Sequence, residues 1–508
     1  MALSSTSKPS LSVAQGADHL LSGGSFASAT APVTILTYSF RATAPTTMPD
    51  DTGAFSTFNP QQIRAAEMAL QAWADVANIR FQRIGTGDSG DAAFSDAGTL
   101  RFADYGTGAA GAAAFTYLPN TIGNRSANSV QGDGWYNGTL SYNANPQLLN
   151  YGAKVLIHEI GHALGLSHPG DYDADPNKEI TYAASAEFAE DTRQYTVMSY
   201  FSETNSGGNY AGRYGSTPLL LDIAAIQDLY GPNPTAFQGD TVYGFNSNAG
   251  RAWLQATDTT SRMIFSAWDT SGVDTFDFSG YSVGQRINLA PTAFSSVGGM
   301  TDNISIAAGV TIENAVGGSG SDEIVGNAAA NYIRGMNGND SVFGAGGDDD
   351  LNGNLGNDTV DGGDGRDSVR GGQGDDIVYG GAGDDLHVNG NIGSDTVHGG
   401  AGSDSVFGGQ GADLLLGEDG NDWLSGDFGD DSLFGGAGAD RFVMRAGGGH
   451  DWVADFSEAE GDRVVLTPGA TFTFSSYLGQ VVITLAGGET LGLAGVAASS
   501  LGDWVVYA

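Results

Sequence analysis

The chain has no cysteine in 508 residues, which excludes disulfides and thiol chemistry. That absence fits a reducing compartment, and equally export by a route that bypasses oxidative folding. The first residues lack a basic stretch followed by an apolar core, so no cleavable signal peptide is recognised. No window approaches 18 uninterrupted apolar residues, which excludes a membrane-spanning helix. Basic residues are scarce: 20 Lys and Arg face 59 Asp and Glu, a net charge of −39. Such a surface repels nucleic acid and anionic membranes and suits a protein that gathers divalent cations. Residues 1–250 hold 22 acids and 11 bases against 37 and 9 in 251–508, net −11 and −28, so the second half carries most of it.

Histidine is also rare. There are seven, and three fall in the eleven residues His158–His168, HEIGHALGLSH. His158 and His162 stand four apart, so on a helix they leave one face and can grip one ion. Neutral imidazole suits zinc, which takes a small tetrahedral ligand set at about 2.0–2.1 Å. Glu159 follows the first ligand, where it reaches a zinc-bound water without ligating the metal. Gly165 can end the helix in a left-handed conformation that glycine adopts cheaply. The turn brings His168 back as a third ligand and leaves one position open, the mark of a catalytic site.

Met198, thirty residues after His168, stands in the run Val197-Met198-Ser199-Tyr200. HExxHxxGxxH followed by a Met-turn is the metzincin signature. With His168-Pro169-Gly170-Asp171-Tyr172 and the run Gln194 to Tyr200, the chain resembles the serralysin family of secreted bacterial metalloproteases. The resemblance implies an α+β zincin/metzincin catalytic domain followed by an all-β, calcium-binding parallel β-roll of RTX repeats. It implies Met198 packed beneath the zinc site, and Tyr200 as an additional, displaceable ligand that stabilises the oxyanion. It further implies a short N-terminal propeptide, Ala112, Ala113 and Ala114 on a strand lining the cleft, and calcium ligands Asp269, Asp274, Thr311 and Glu313 where the domains join. The implied partners are protein or peptide substrates, a type I (ABC) secretion apparatus and a small proteinaceous inhibitor, with a monomeric enzyme secreted to the extracellular space.

Taken in order, residues 1–32 are rich in Ser, Ala and Gly and read as a flexible leader. Residues 33–249 read as the catalytic domain. Thr34–Phe40, Ile79–Ile84, Leu100–Phe102 and Gly111–Tyr117 are expected strands. The last of these, as an edge, could pair with an extended peptide by strand addition. Helices are expected from Asn59-Pro60, from about Leu148 to Leu164, and from Pro218 to Gly231-Pro232.

Residues 250–508 form the second expected domain. From Gly317 a nine-residue pattern, GGxGxDxUx with U apolar, fills 317–443 in 14 units, one of them ten residues long at 380–389. This is the calcium-binding parallel β-helix repeat. Its sixth-position carboxylates, Asp322, Asp340, Asp349, Asp358, Asp367, Asp376, Asp385, Asp395, Asp404, Asp413, Asp422, Asp431 and Asp440, are the candidate calcium ligands, with turn carbonyls. Asn331 takes that place in one unit and puts its site in doubt. The U residues, from Ile324 to Val378 and onward, are expected to stack in a thin core. The ten-residue unit is expected to bend or divide the roll, and His387 and His398 to be surface residues. The end, Asp503-Trp504-Val505-Val506-Tyr507-Ala508, resembles the acidic-then-apolar secretion signal of serralysins, displaced by two residues.

The sequence therefore reads as a secreted zinc- and calcium-dependent endopeptidase of broad specificity, with Glu159 as general base and then acid. The competing reading is a calcium-binding RTX adhesion or surface-layer protein with a decayed protease domain. Intact His158, Glu159, His162, His168 and Tyr200 speak against it.

Overall fold

The computed structural model describes residues 8–27, 32–49, 52–109, 112–119, 130–172, 179–497 and 504–507. It begins with a short helix, α1 (Val13–Asp18), capped by Ser12 and Gln15. A five-stranded sheet follows, built from β1 (Thr34–Phe40), β2 (Ile79–Arg83), β3 (Leu100–Tyr105), β4 (Ala114–Thr116) and β5 (Gly134–Asn137). Its order is β2-β1-β3-β5-β4, parallel except for β4, which runs antiparallel to β5 at the edge. The expected edge strand is thus an edge, though only three residues long, with Ala112 and Ala113 just ahead of it.

The long helix α2 (Pro60–Val76) opens with proline at its first position, capped by Asn59. After a single turn, α3 (Ser141–Ala144), comes α4 (Tyr151–Leu164), which starts three residues later than expected because Asn150 caps it. Trp73 of α2 donates its indole N–H to Ile157 O at 3.1 Å, fixing α4 against α2 over a shared apolar core. Two further helices, α5 (Tyr182–Ser185) and α6 (Leu220–Tyr230), complete the first unit.

The flexible-leader expectation for 1–32 is corrected over 8–27. Leu20 and Phe26 are buried, and Gly16 of α1 lies against Leu221 of α6, where a Cβ would come within 3.0 Å. Small residues here mean close packing, not freedom. Residues 1–7 and 28–31 lie outside the described residues.

The second unit is a roll of two twelve-stranded sheets. Through the repeats, successive strands alternate between the sheets and pair in parallel with the strand 18 residues on. The last strands of one sheet, Phe472–Tyr477, Gln480–Leu485 and Thr490–Ala497, pair antiparallel with one another. Val242–Gly244 already joins the first sheet, ahead of the expected boundary at 249/250. Every inward U residue from Ile324 to Phe442 is at most 1% exposed, so the thin core is as expected. The ten-residue unit neither bends nor divides the roll. Both sheets change their pairing offset from 18 to 19 there (Ser368↔His387, Ile377↔Thr396), and Leu386 bulges out, half exposed. Left-handed glycines let the turns stack: a Cβ on Gly356 (φ +137°) would lie 1.7 Å from Gly338 O. Arg251 ties the units together through a bidentate pair with Asp75, both N–O distances 2.7 Å. At the C-terminal end Trp504 is buried and Val505–Tyr507 pairs with Arg463–Leu466; Asp503 and Ala508 lie outside the described residues.

Candidate metal centre

α4 carries His158 and His162 one turn apart and ends at Gly165, left-handed with φ +110°. The turn returns His168 so that the three Nε2 atoms converge, His162 to His168 at 3.2 Å and His168 to His158 at 3.3 Å. A tetrahedral centre with bonds of about 2.0–2.1 Å sets its ligand atoms about 3.3–3.4 Å apart, so the triangle has the size zinc requires. Among the described residues these histidines are the one group of three or more His, Asp or Glu whose ligand atoms all lie within 4.8 Å of one another.

The outer nitrogens fix the tautomers. Nδ1–H of His158 donates to Val197 O at 2.9 Å, that of His162 to Leu166 O at 2.7 Å and that of His168 to Tyr172 O at 2.8 Å. Each Nε2 is thereby left as the lone-pair donor. Burial, with Lys154 and the other two histidines, pushes His158 well below its ordinary value, so it stays neutral and ready to ligate. The donor set fits zinc.

Glu159 is buried, and its Oε2 has no hydrogen-bond partner. Burial pushes its carboxyl up to about 7, against the pull of the Thr116 hydroxyl and the Lys154 ammonium. Such a group can take and return a proton near neutrality. Its neighbours define a cavity of about 310 Å³, bounded by Ala112, Ala113 and Ala114, by Lys154, His158 and Glu159 of α4, and by Arg193 and Tyr200. The expected metal, proton-transfer and cleft residues therefore meet in one place. The Tyr200 ring stands 4.5 Å from that of His168 and 6.0 Å from that of His158.

Beneath the helix Met198 is fully buried, and a Cβ on Gly161 would lie 2.7 Å from its Sδ. The glycine of HEIGH is there to admit the Met-turn. That turn hangs on Asp222, fully buried on α6, which accepts from the Thr196 hydroxyl, Val197 N–H (2.8 Å) and Leu219 N–H (2.9 Å). Asp191 similarly holds Tyr172, whose carbonyl orients His168. Residues 20–24 brace the Gly165 turn. Ser22 donates from N and Oγ to Gly165 O, and Ser167 N–H donates to Leu20 O at 2.7 Å. Sequence reasoning passed over Asp222, Asp191, Lys154 and Gly161. Only Asp222 had a local signal, as an acid in the first turn of a helix.

The calcium candidates divide. At the junction Asp269 and Asp274 are buried; Asp274 is raised to about 7 by burial, with Asp269 and Glu313 adding to it. Glu313 accepts Asp274 N–H at 2.7 Å, whereas Thr311 is exposed and apart from these contacts. In the roll, twelve of the thirteen aspartates, Asp340 to Asp440, use Oδ1 to accept a backbone N–H from a neighbouring turn. Their Oδ2 atoms are buried without a partner. Repeated orphan carboxylate oxygens are what a hard cation would satisfy. Asp322 is the exception: both oxygens are taken, by Gln285 N–H and Gly318 N–H. Asn331 likewise satisfies itself, through Asn327 and Glu313 O. His398 bonds Glu418 and stacks on Tyr379, and His387 contacts Asn389; neither falls in a cluster of metal-ligating side chains among the described residues.

Comparison with known proteins agrees with this geometry. The Matrixin family model matches residues 36–193, and the peptidase M10 serralysin C-terminal model matches residues 232–473. Serralysin C of Dickeya chrysanthemi is 51% identical over 291 residues, covering 56% of this chain and 58% of its own length. Metalloprotease AprA of Pseudomonas entomophila is 46% identical over 324 residues, 62% of this chain and 64% of its own. The serralysin of Photorhabdus luminescens is 47% identical over 289 residues, 56% and 57%. The matches thus span somewhat less than two thirds of these relatives. With a zinc-sized histidine triangle, a Met-turn beneath it and an aspartate-lined parallel roll, the chain is similar to the serralysins in both of its matched regions.

Proposed function

We propose that the chain is a zinc-dependent endopeptidase, working outside the cell on extended protein segments, whose roll is loaded with calcium. The observation that carries this reading is the convergence of three Nε2 atoms beside a buried, unpartnered Glu159 oxygen and an edge strand. His158, His162 and His168 would hold the metal. Bound there, zinc supplies Lewis acidity for the scissile carbonyl and for the attacking water.

The rest is done by this chain. The unpaired edge of β4 can lay out a substrate strand through main-chain hydrogen bonds, which explains breadth of specificity. Glu159 takes one proton as the water oxygen bonds to the carbonyl carbon, then gives it to the leaving nitrogen as the C–N bond breaks. Tyr200 donates its phenolic O–H to the developing oxyanion, a contact that matters only in the transition state. In the roll, calcium would take the twelve orphan Oδ2 atoms and the turn carbonyls, with Asp269, Asp274 and Glu313 a further candidate set. Any processing of the leader is expected to spare residues 8–27, because their removal would strip the brace from the His168 turn. Export by a type I apparatus, with the roll unfolded at low cytosolic calcium, is the route consistent with a cysteine-free chain.

The test is hydrolysis of casein by the purified chain, abolished by a zinc chelator and restored by added zinc. Hydrolysis indifferent to the chelator would remove the reading, as would its complete absence in the zinc-loaded protein.

A further inference from the structure

Lys154 stands one turn before His158 on α4, only 5% exposed, and lines the cavity beside the triad. Its ammonium approaches His158 Nδ1 at 3.4 Å, but that nitrogen already donates its proton to Val197 O and cannot accept another. Among the described residues no carboxylate oxygen lies within 4.0 Å of Lys154. Glu159 and Asp222 act on its charge only from beyond ion-pair distance. A buried ammonium with no counter-ion in contact is costly, so its retention calls for an incoming partner. A second cation faces the same space. The Arg193 guanidinium reaches Glu203 only at 3.5 Å and stacks over Tyr214, and its Nε is buried without a partner. Glu159 is the one carboxylate lining the cavity, and its proton-transfer role turns it toward the reacting atoms.

Resting on the endopeptidase reading, we infer that this cavity is a specificity pocket for an acidic side chain next to the scissile bond, with Lys154 as its ion-pair partner and Arg193 as a second cation. The edge strand supplies binding without sequence preference, and the pocket adds a preference for Asp or Glu at one position. Lys154 is a specificity residue, since it meets the substrate side chain and not the reacting atoms.

The experiment uses the zinc- and calcium-loaded full chain and a set of quenched fluorescent peptides. In these Glu, Leu or Lys is placed in turn at each of three positions on either side of one cleavable bond. At the position flanking the bond, kcat/KM for Glu is expected to exceed that for Leu by roughly tenfold or more, with Lys poorest. Lys154→Met should cut the Glu-to-Leu ratio by about tenfold or more, and Lys154→Arg, which keeps the charge, should preserve the preference. The Leu peptide serves as internal control for folding and metal retention. Equal cleavage of Glu and Leu peptides by a wild-type chain that digests casein would overturn the pocket assignment alone. An unchanged ratio in Lys154→Met would do the same. Failure to cleave either peptides or casein would instead overturn the endopeptidase reading, and this inference with it.

Discussion

Asp222 is remote from the substrate, yet the geometry makes it the post from which the Met-turn hangs. Replacing it with alanine strands three donors, the Thr196 hydroxyl and the N–H groups of Val197 and Leu219, at a site with no solvent exposure. Each orphaned buried donor costs about 1–3 kcal/mol. Relaxation shares that burden, so a total of about 3–5 kcal/mol is expected. For a domain of this size it corresponds to a fall of about 10 °C in Tm. The second effect is specific to the metal. Val197 N–H is released, and Val197 O is the acceptor that orients His158. Loss of an orienting partner of a metal-bound histidine typically weakens metal affinity about 10–100-fold. Calorimetry and a competitive zinc titration on Asp222→Ala measure the two effects separately. A variant that melts lower but binds zinc as tightly as wild type would show the Met-turn to be mere scaffolding. A variant unchanged in both would refute the reasoning altogether.

Tyr200→Phe should lower kcat by tenfold or more with KM little changed, since the lost O–H acts on charge present only in the transition state; a change confined to KM would make Tyr200 a substrate-positioning residue. Deleting residues 1–27 removes the buried Leu20 and Phe26, worth about 1.5–3 kcal/mol each, and the brace on the His168 turn. The deletion should lower Tm and weaken zinc binding in the full catalytic assay, whereas wild-type behaviour would mark the segment as a dispensable leader. In the roll, burial raises Asp340, Asp349, Asp385, Asp395 and Asp422 to about 7 and Asp376 to about 8. A carboxyl raised on folding binds its proton more tightly in the folded state, so it costs stability as pH climbs from about 4 through 7. With calcium chelated, the roll should therefore show more β-structure by circular dichroism at pH 5 than at pH 8, and calcium should erase the difference. Equal β-content at the two pH values in chelator would contradict this.

Legibility followed locality. The triad could be read directly, because a helix and one left-handed glycine convert spacings of four and six residues into a triangle of nitrogens. The roll was legible for the same reason: its contacts repeat at a fixed period, and the U positions had to stack. The supports of the site were not legible. Asp222 meets Thr196 across 26 residues and Asp191 meets Tyr172 across 19; nothing local distinguishes Asp191 from an ordinary surface acid, and the place of Asp222 in a helix's first turn does not say what it holds. Lys154 resembled any helical lysine until the fold buried it. The leader misled through composition, since small residues serve close packing as readily as disorder, and six residues of helix carry little periodic signal. The ten-residue unit misled because insertion at a turn shifts both neighbouring strands together, so the parallel ladder absorbs it. Asp322 fits the repeat in sequence, but it sits where the ladder begins and spends both oxygens on backbone donors.

The central claim is that Glu159 moves the proton while three histidines hold the metal. Its most direct test is Glu159→Ala, assayed for zinc content and for casein hydrolysis on the same sample. Because the substitution removes the proton carrier and no ligand, one zinc per chain should remain while turnover falls by several orders of magnitude. Near-normal turnover with zinc in place would contradict the account, as would loss of zinc with residual activity tracking the metal.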